Sequence, residues 1–127
     1  MFETKLLGRK YDYHAPDKSE IRLLLEMKGG NMWHGKLPKG KTSKPKYHKS
    51  VEEIWFFISG NGLLWRSEKN FEKIVKVKRG TCITIPARTK FQFQNAGTKD
   101  LEFIGVTMPP WPGPQEAVDT EGNWREL

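Results

Sequence analysis

Residues 40–60 read GKTSKPKYHKSVEEIWFFISG, a stretch that begins and ends with glycine and contains Lys46, His48 and Glu53. Lys46 is followed by His48 after one residue and by Glu53 after four more. Successive side chains of a strand point to opposite faces, so Lys46 and His48 should share one face. Trp55 follows Glu53 at the same period of two. The stretch therefore predicts one strand face with Lys46 and His48, and a face of the adjoining strand with Glu53 and Trp55.

Residues 80–95 read GTCITIPARTKFQFQN and form a second informative stretch. The alternating apolar residues after Gly80 predict a strand. Pro86 should end that strand, because proline has no N–H to donate to the ladder. Phe91 and Phe93 then alternate with polar residues, which predicts another strand with an aromatic inner face.

Taken together, the two stretches resemble the motifs of the cupin superfamily, G-x5-H-x-H-x4-E-x6-G and G-x5-P-x-G-x2-H-x3-N. Seven motif positions are kept at the right spacing, namely Gly40, His48, Glu53, Gly60, Gly80, Pro86 and Asn95. Three positions depart, because Lys46 and Phe91 stand where the motifs have histidine and Arg88 stands where they have glycine. The resemblance covers roughly residues 30–108. It implies an all-β fold, the double-stranded β-helix or small jelly-roll barrel.

Short segments rich in β-branched and aromatic residues recur between Gly, Pro and Asn turns. The segments predicted as strands are 22–27, 53–59, 62–66, 73–77, 81–85, 91–94 and 101–107. No segment shows a sustained helical period, so this pattern alone predicts a β-sandwich or barrel. We expect one cupin domain over residues 1–127, with an extended proline-rich C-terminal segment over residues 108–127.

The composition fits a globular domain with one core: 127 residues, 36% hydrophobic and 29% charged. No apolar run approaches the roughly 18 residues that a membrane helix needs. The N-terminus lacks the basic and apolar segments of a secretory signal, so a cytoplasmic location is expected. The one cysteine, Cys82, has apolar neighbours and is predicted to be a buried thiol.

The net charge of +7 is concentrated in the first half of the chain. Residues 1–50 contain 12 Lys and Arg against 5 Asp and Glu, whereas residues 51–127 contain 10 of each. The lysine-rich segment 36–49 is either a solvated loop or an electropositive rim that attracts anionic ligands to a pocket. Nucleic acid is not an expected partner, because the basic residues lack aromatic platforms or known helical motifs.

Lys46, His48 and Glu53 are the candidate catalytic residues. A buried Lys–Glu pair beside a histidine would perturb the pKa of all three groups, and such groups suit acid/base chemistry. We assign His48 as the proton carrier and Glu53 as its orienting partner. Lys46 would contact an anionic or carbonyl part of the ligand. The same trio is equally consistent with a structural salt bridge.

Aromatic side chains provide the walls of the predicted interior. The candidate ligand-binding residues are Trp55, Phe57, Arg88, Phe91, Phe93 and Trp111. Arg88 would add positive charge near the mouth. Trp111, in the proline-rich segment, would fold over the mouth or pack against a second subunit. Few polar groups among large apolar walls are typical of a small-molecule pocket, and aromatic side chains that simply fill a narrow barrel are the alternative.

The resemblance implies a metal site of three histidines and one glutamate, of which His48 and Glu53 remain. Catalytic metal sites usually keep three protein ligands, so no cofactor is assigned. The alternative is a divalent transition metal held by His48, Glu53 and His34.

Three functions stay open at this point. The first is binding of a small anionic organic ligand, with metal-independent acid/base chemistry of the isomerase type. The second is a divalent-metal-dependent, oxygenase-like enzyme in which two histidines and a carboxylate hold the ion. The third is a non-catalytic ligand-binding or sensor domain. The resemblance also implies a homodimer, since cupins commonly pair barrels through edge strands and exchanged termini, and no membrane partner is expected.

Overall fold

The computed structural model describes residues 1–125, and within them strands account for nearly all of the regular structure. The strands are β1 Tyr13–His14, β2 Glu20–Met27, β3 Gly30–Leu37, β4 Lys46–His48, β5 Glu52–Ser59, β6 Asn61–Glu68, β7 Phe71–Lys78, β8 Cys82–Ile85, β9 Lys90–Asn95, β10 Leu101–Met108 and β11 Ala117–Asp119. A short 3-10 turn, Pro114–Glu116, precedes β11. None of the described helical residues forms a segment long and apolar enough to cross a bilayer.

The strands form two antiparallel sheets. The first has the order β1-β2-β3-β10-β5-β8, and the second has the order β11-β4-β9-β6-β7. Neighbours in each sheet are mostly distant in sequence, so the chain crosses between the sheets repeatedly. This arrangement confirms the predicted all-β jelly-roll architecture.

The strands predicted from sequence correspond to β2 and to β5 through β10, with small differences at their ends. The predicted segments did not include β1, β4 and β11, which have only two or three residues each, although strand alternation was already applied to Lys46 and His48. β3 was not among the segments predicted as strands, because Gly30 and Gly35 weaken its strand pattern. Both glycines are required by close contacts. A Cβ at Gly30 would lie 2.7 Å from the Thr107 carbonyl oxygen, and one at Gly35 would lie 2.6 Å from the Phe103 ring.

The core between the sheets is aromatic. Trp55 stacks on Phe103 with ring centroids 4.7 Å apart and meets Phe93 edge-on at 5.2 Å. Phe57 is fully buried and contacts the same cluster. The expectation that Cys82 is buried was wrong, because Cys82 begins β8 on the exposed face, alternating with buried Ile83.

Candidate functional site

A cavity of about 40 Å³ lies between the two sheets, at one end of the aromatic core. The polar side chains on its wall are Tyr13, Asp17, Ser19, Lys46, His48, Glu53 and Thr107, and the aromatic ones are Trp33, Trp55, Phe91 and Trp111. The sequence-predicted trio of Lys46, His48 and Glu53 is therefore brought together at one cavity. Each member of the trio is 5–7% exposed.

The local fold explains why Lys46 and His48 point inward together. They occupy the two ends of β4, and Tyr47 between them is only half-buried. β4 pairs with β9 through Lys46 and Phe91, and with β11 along its whole length. The two motif positions that lack histidine, 46 and 91, are thus direct cross-strand neighbours.

Glu53 is held by two hydrogen bonds, one to each carboxylate oxygen. The Trp55 indole Nε1 donates to Oε1 at 2.9 Å, and the Thr107 hydroxyl donates to Oε2 at 2.6 Å. Thr107 in turn accepts a hydrogen bond from Trp33 Nε1 at 2.8 Å. Burial raises the pKa of Glu53 to about 7, against the lowering effect of these donors. The carboxyl group can therefore gain or lose a proton near neutral pH.

His48 lies beside Glu53 and is electrically neutral at pH 7. Burial lowers its pKa to about 4, with a smaller opposing effect from Glu116. Its Nδ1 is 3.8 Å from Glu53 Oε1, too far for a hydrogen bond, and has no hydrogen-bond partner among the described residues. Phe91 and Trp111 meet the imidazole edge-on, with ring centroids 5.1 and 5.2 Å away. The ring is thus fixed by packing while Nδ1 stays available.

Lys46 does not form the ion pair with Glu53 that the sequence suggested. Its Nζ donates to Asp119 Oδ1 at 2.5 Å, and the Lys44 Nζ lies 3.5 Å from the same oxygen. The hydrogen bond and the charge of Lys46 lower the pKa of Asp119. The correct partner could not be found by spacing, because Asp119 lies 73 residues away on β11.

Asp17 is a second buried carboxyl group on the cavity wall, and sequence reasoning missed it. Its Oδ1 accepts hydrogen bonds from the Ser19 backbone N–H at 2.9 Å and from the Ser19 hydroxyl at 2.6 Å. Burial raises the pKa of Asp17, and the Ser19 hydrogen bonds and the charge of Lys46 oppose that effect. An Asp-x-Ser sequence is a common local turn, so nothing in this segment pointed to a cavity.

The predicted ligand-binding residues fall into three groups. Trp55, Phe91 and Trp111 line the cavity as expected. Phe57 and Phe93 are fully buried in the core and do not reach it. Arg88 is exposed and absent from the cavity wall, so it does not supply the positive charge expected at the mouth.

Arg88 has a conformational role instead. Its φ is 68°, in the left-handed region that glycine favours, and its backbone N–H donates to the His48 carbonyl oxygen at 2.7 Å. This is the position at which the motif has glycine.

His34 does not complete a metal site with His48 and Glu53. On β3 it is Trp33 that reaches the cavity, and His34 points to the other face of the sheet, where its Nε2 is 2.9 Å from Glu102 Oε1. Within residues 1–125, no group of three or more His, Cys, Asp or Glu side chains is placed to hold a metal ion. The residues present do not fit the ligand set that the family motif implies.

Residues 109–125, which we call the C-terminal cover, close one side of the site. Trp111 contacts His48, and its backbone N–H donates to Asn31 Oδ1 at 2.7 Å. Glu116 accepts hydrogen bonds from the Ser50 and Val51 backbone N–H groups at 2.5 and 2.8 Å. The cover therefore brings Trp111 to the cavity and Asp119 to Lys46 as one anchored segment. Trp111 thus lies at the cavity, beside His48 of its own chain.

Comparisons with known proteins agree with this architecture. A family model of the cupin domain matches residues 33–107. The uncharacterized protein MJ1618 of Methanocaldococcus jannaschii is 30% identical over 123 residues, covering 87% of this chain and 93% of that protein.

Solved structures show the same fold. A predicted oxalate decarboxylase from Thermotoga maritima is 25% identical with a TM-score of 0.62, over 72% of this chain and 80% of that one. An uncharacterized conserved protein from Klebsiella pneumoniae with a double-stranded β-helix domain is 16% identical with a TM-score of 0.69, over 94% of this chain and 100% of that one. The motifs, the two-sheet fold and the match over residues 33–107 together show that the chain belongs to the cupin family.

Proposed function

We propose that this cupin binds a small anionic organic ligand, such as a short carboxylate, and exchanges a proton with it through Glu53 without a tightly held metal. One observation carries the proposal: a buried carboxyl group with a pKa of about 7 lies 3.8 Å from an unpartnered imidazole nitrogen at a cavity. A group poised near the working pH is suited to both accept and donate a proton.

The cavity supports a ligand of few atoms. One water molecule needs roughly 10–15 Å³ of such space, so about 40 Å³ accommodates a group of about three or four non-hydrogen atoms. The Thermotoga maritima neighbour is described as a predicted oxalate decarboxylase, and one carboxylate group, with three non-hydrogen atoms, is of this size. That likeness supports a short carboxylate as the ligand class here.

The side chains on the cavity wall suit an anionic ligand when their protonation states are taken into account. Lys46 is the basic side chain on the wall, and Asp119 orients it. Burial raises the pKa of both Asp17 and Glu53, so an approaching anion would favour their protonated forms. Anion binding would then be accompanied by proton uptake.

The pKa values reverse the roles of proton carrier and orienting partner that the sequence predicted for His48 and Glu53. With a pKa of about 4, His48 is a weak base, whereas Glu53 titrates near pH 7. Glu53 is therefore the proposed proton carrier. Neutral His48 offers Nδ1 to the ligand, and Lys46 contacts its anionic or carbonyl group.

Calorimetry with oxalate and other short carboxylates tests this proposal on protein whose metal content has been measured. Titrations near pH 7.5 in two buffers of different ionisation enthalpy give the number of protons taken up. We expect metal-free wild type to bind with proton uptake, Glu53→Gln to take up fewer protons, and Lys46→Met to bind at least tenfold more weakly.

The matched control is Glu52→Gln, because Glu52 is the exposed neighbour on β5 that points away from the cavity. It should behave as wild type. Binding that requires a stoichiometric transition metal would contradict the proposal and favour the metal-dependent alternative. Binding without proton uptake would favour the non-catalytic binding domain.

A further inference from the structure

A second cleft lies between the two sheets, beside their edge strands β7 and β8. Its volume is about 180 Å³, and it shares no wall residue with the cavity that contains Glu53. The polar residues on its wall are Arg66, Ser67, Glu68, Lys73, Thr84 and Thr89. Two cations and several hydroxyl groups therefore surround a space that the proposed function does not use.

Arg66 and Lys73 reach the cleft from neighbouring strands. Arg66 on β6 is directly opposite Lys73 on β7. Arg66 lies two residues after the buried Leu64, and Lys73 lies two residues before Val75, which packs against the core. Because side chains alternate along a strand, both cations are on the inner face of the second sheet.

Among residues 1–125, neither of these cations forms an ion pair with a carboxylate. Arg66 Nη1 donates to the Thr84 carbonyl oxygen at 2.8 Å, which holds the guanidinium at the cleft. Burial lowers the pKa of Arg66, because its charge is partly removed from water. Like charges directly opposite each other in a sheet are destabilising. An anion bound between Arg66 and Lys73 would remove this repulsion.

The rest of the wall combines hydroxyl, carboxylate and apolar groups. The Thr89 hydroxyl donates to Glu68 Oε2 at 3.1 Å. The Glu68 carboxylate would repel a bare anion, but it can accept a hydrogen bond from a ligand hydroxyl. Phe71 and Pro86 add apolar surface for carbon atoms. The wall therefore suits a ligand that has hydroxyl groups as well as an anionic group.

We propose that this cleft binds a small phosphomonoester that carries hydroxyl groups. The two positive charges of Arg66 and Lys73 match a phosphate dianion, and both side chains donate strong hydrogen bonds to phosphate oxygens. One water molecule needs roughly 10–15 Å³ of such space, so about 180 Å³ accommodates about a dozen non-hydrogen atoms. A phosphorylated polyol of three or four carbons has this size.

This site is separate from the carboxylate site of the proposed function. Phe91 on β9 is opposite Lys46 on one side and opposite Arg66 on the other, so β9 lies between the two sites. Substitutions in one site should consequently leave ligand binding at the other unchanged.

Calorimetry with glycerol 3-phosphate near pH 7.5 and at low ionic strength tests the proposal. Wild type should bind it more tightly than inorganic phosphate. Arg66→Gln and Lys73→Met should each weaken binding at least tenfold, and Glu68→Gln should remove the preference over inorganic phosphate. Lys76→Met is the matched control, since Lys76 is exposed and lies between the inward-facing Val75 and Val77 on β7. This control and Lys46→Met should bind as wild type does.

Thermal unfolding gives a second readout, which a purely structural role of Lys73 would not produce. At low ionic strength without phosphate, Lys73→Met should have a higher Tm than wild type, because its repulsion with Arg66 is removed. With saturating glycerol 3-phosphate the order should reverse, since a ligand stabilises the folded protein that binds it more tightly. Sodium chloride at the same ionic strength should not reverse the order.

Three results would overturn the proposal. The first is a wild type that binds neither glycerol 3-phosphate nor inorganic phosphate at millimolar concentration, or that binds no more tightly than Arg66→Gln and Lys73→Met. The second is tighter binding of inorganic phosphate than of glycerol 3-phosphate, which would exclude the hydroxyl-bearing class of ligand. The third is a reversal of the Tm order by sodium chloride, which would show charge screening in place of a specific site.

Discussion

Glu53 and His48 respond to the same burial with pKa shifts of opposite sign. Desolvation disfavours the charged form of each, so the pKa of the acid rises to about 7 and that of the base falls to about 4. Both side chains are consequently neutral between these two values. Near pH 7 the carboxyl group of Glu53 gains or loses a proton at small cost, whereas His48 stays neutral.

These shifts predict how stability depends on pH. Glu53 in the folded protein keeps its proton up to about pH 7, while in the unfolded chain it loses it near 4.5, so its contribution to stability declines as pH rises from 4.5 to 7. His48 acts in the opposite direction. Its folded-state pKa is lowered from 6.5 to about 4, so stability is lost as pH falls through that window. In wild type the two effects largely cancel.

Glu53→Gln should expose the contribution of Glu53. The free energy of unfolding of Glu53→Gln minus that of wild type should increase by about 3 kcal/mol between pH 4.5 and 7, since one pKa unit corresponds to about 1.4 kcal/mol. Urea unfolding at several pH values measures this difference. A difference that stays constant with pH would show that the Glu53 pKa is not raised. Glu52→Gln again serves as the control.

At the scale of elements, the C-terminal cover creates the environment of His48. Trp111 covers the imidazole, and its place is fixed by the hydrogen bond to Asn31. Gln92 on β9 binds the far end of the cover, accepting from the Asn123 and Trp124 backbone N–H groups at 2.9 Å. A proline-rich segment without long strands is thus tied to the barrel at several points.

Trp111→Ala should admit water to His48 and raise the His48 pKa from about 4 toward its ordinary value of 6.5, because burial is the main cause of the lowering. An NMR titration of the imidazole resonances measures the change. Trp124→Ala, in the same segment but bound through its backbone, should leave the His48 pKa unchanged. Equal effects of both substitutions would contradict this role of Trp111.

At the scale of the whole molecule, the two sheets share one core. Trp55 and Phe103 from the first sheet pack against Phe93 from the second, and the cavity draws its wall from both. Neither sheet can bury its inner face without the other. The chain is therefore expected to unfold as one cooperative unit.

Equilibrium unfolding in urea tests this expectation at a fixed protein concentration. Tryptophan fluorescence and far-UV circular dichroism should give coincident transitions, since the tryptophans lie in both sheets and the cover. Two separated transitions would indicate that the sheets unfold independently and would contradict a single domain over residues 1–127.

Part of this molecule could be predicted from local patterns. The alternation of side chains along a strand, together with the motif spacing, put Lys46, His48, Glu53 and Trp55 on one interior, and the structure confirms it. The same alternation could not predict whether Trp33 or His34 faces the core. Both lie on β3, and only the pairing of β3 with β10 fixes which of them faces the core.

The sequence by itself determined the fold family and the inward face of the motif strands, because strand period and motif spacing are properties of neighbouring residues. Only the tertiary structure decided that Asp119 is the partner of Lys46 and that Thr107 is the partner of Glu53. It also placed Asp17 on the cavity wall. Asp119 and Thr107 lie 73 and 54 residues from the groups they bind. Contacts over such separations depend on strand order and register, which short-range spacing does not encode.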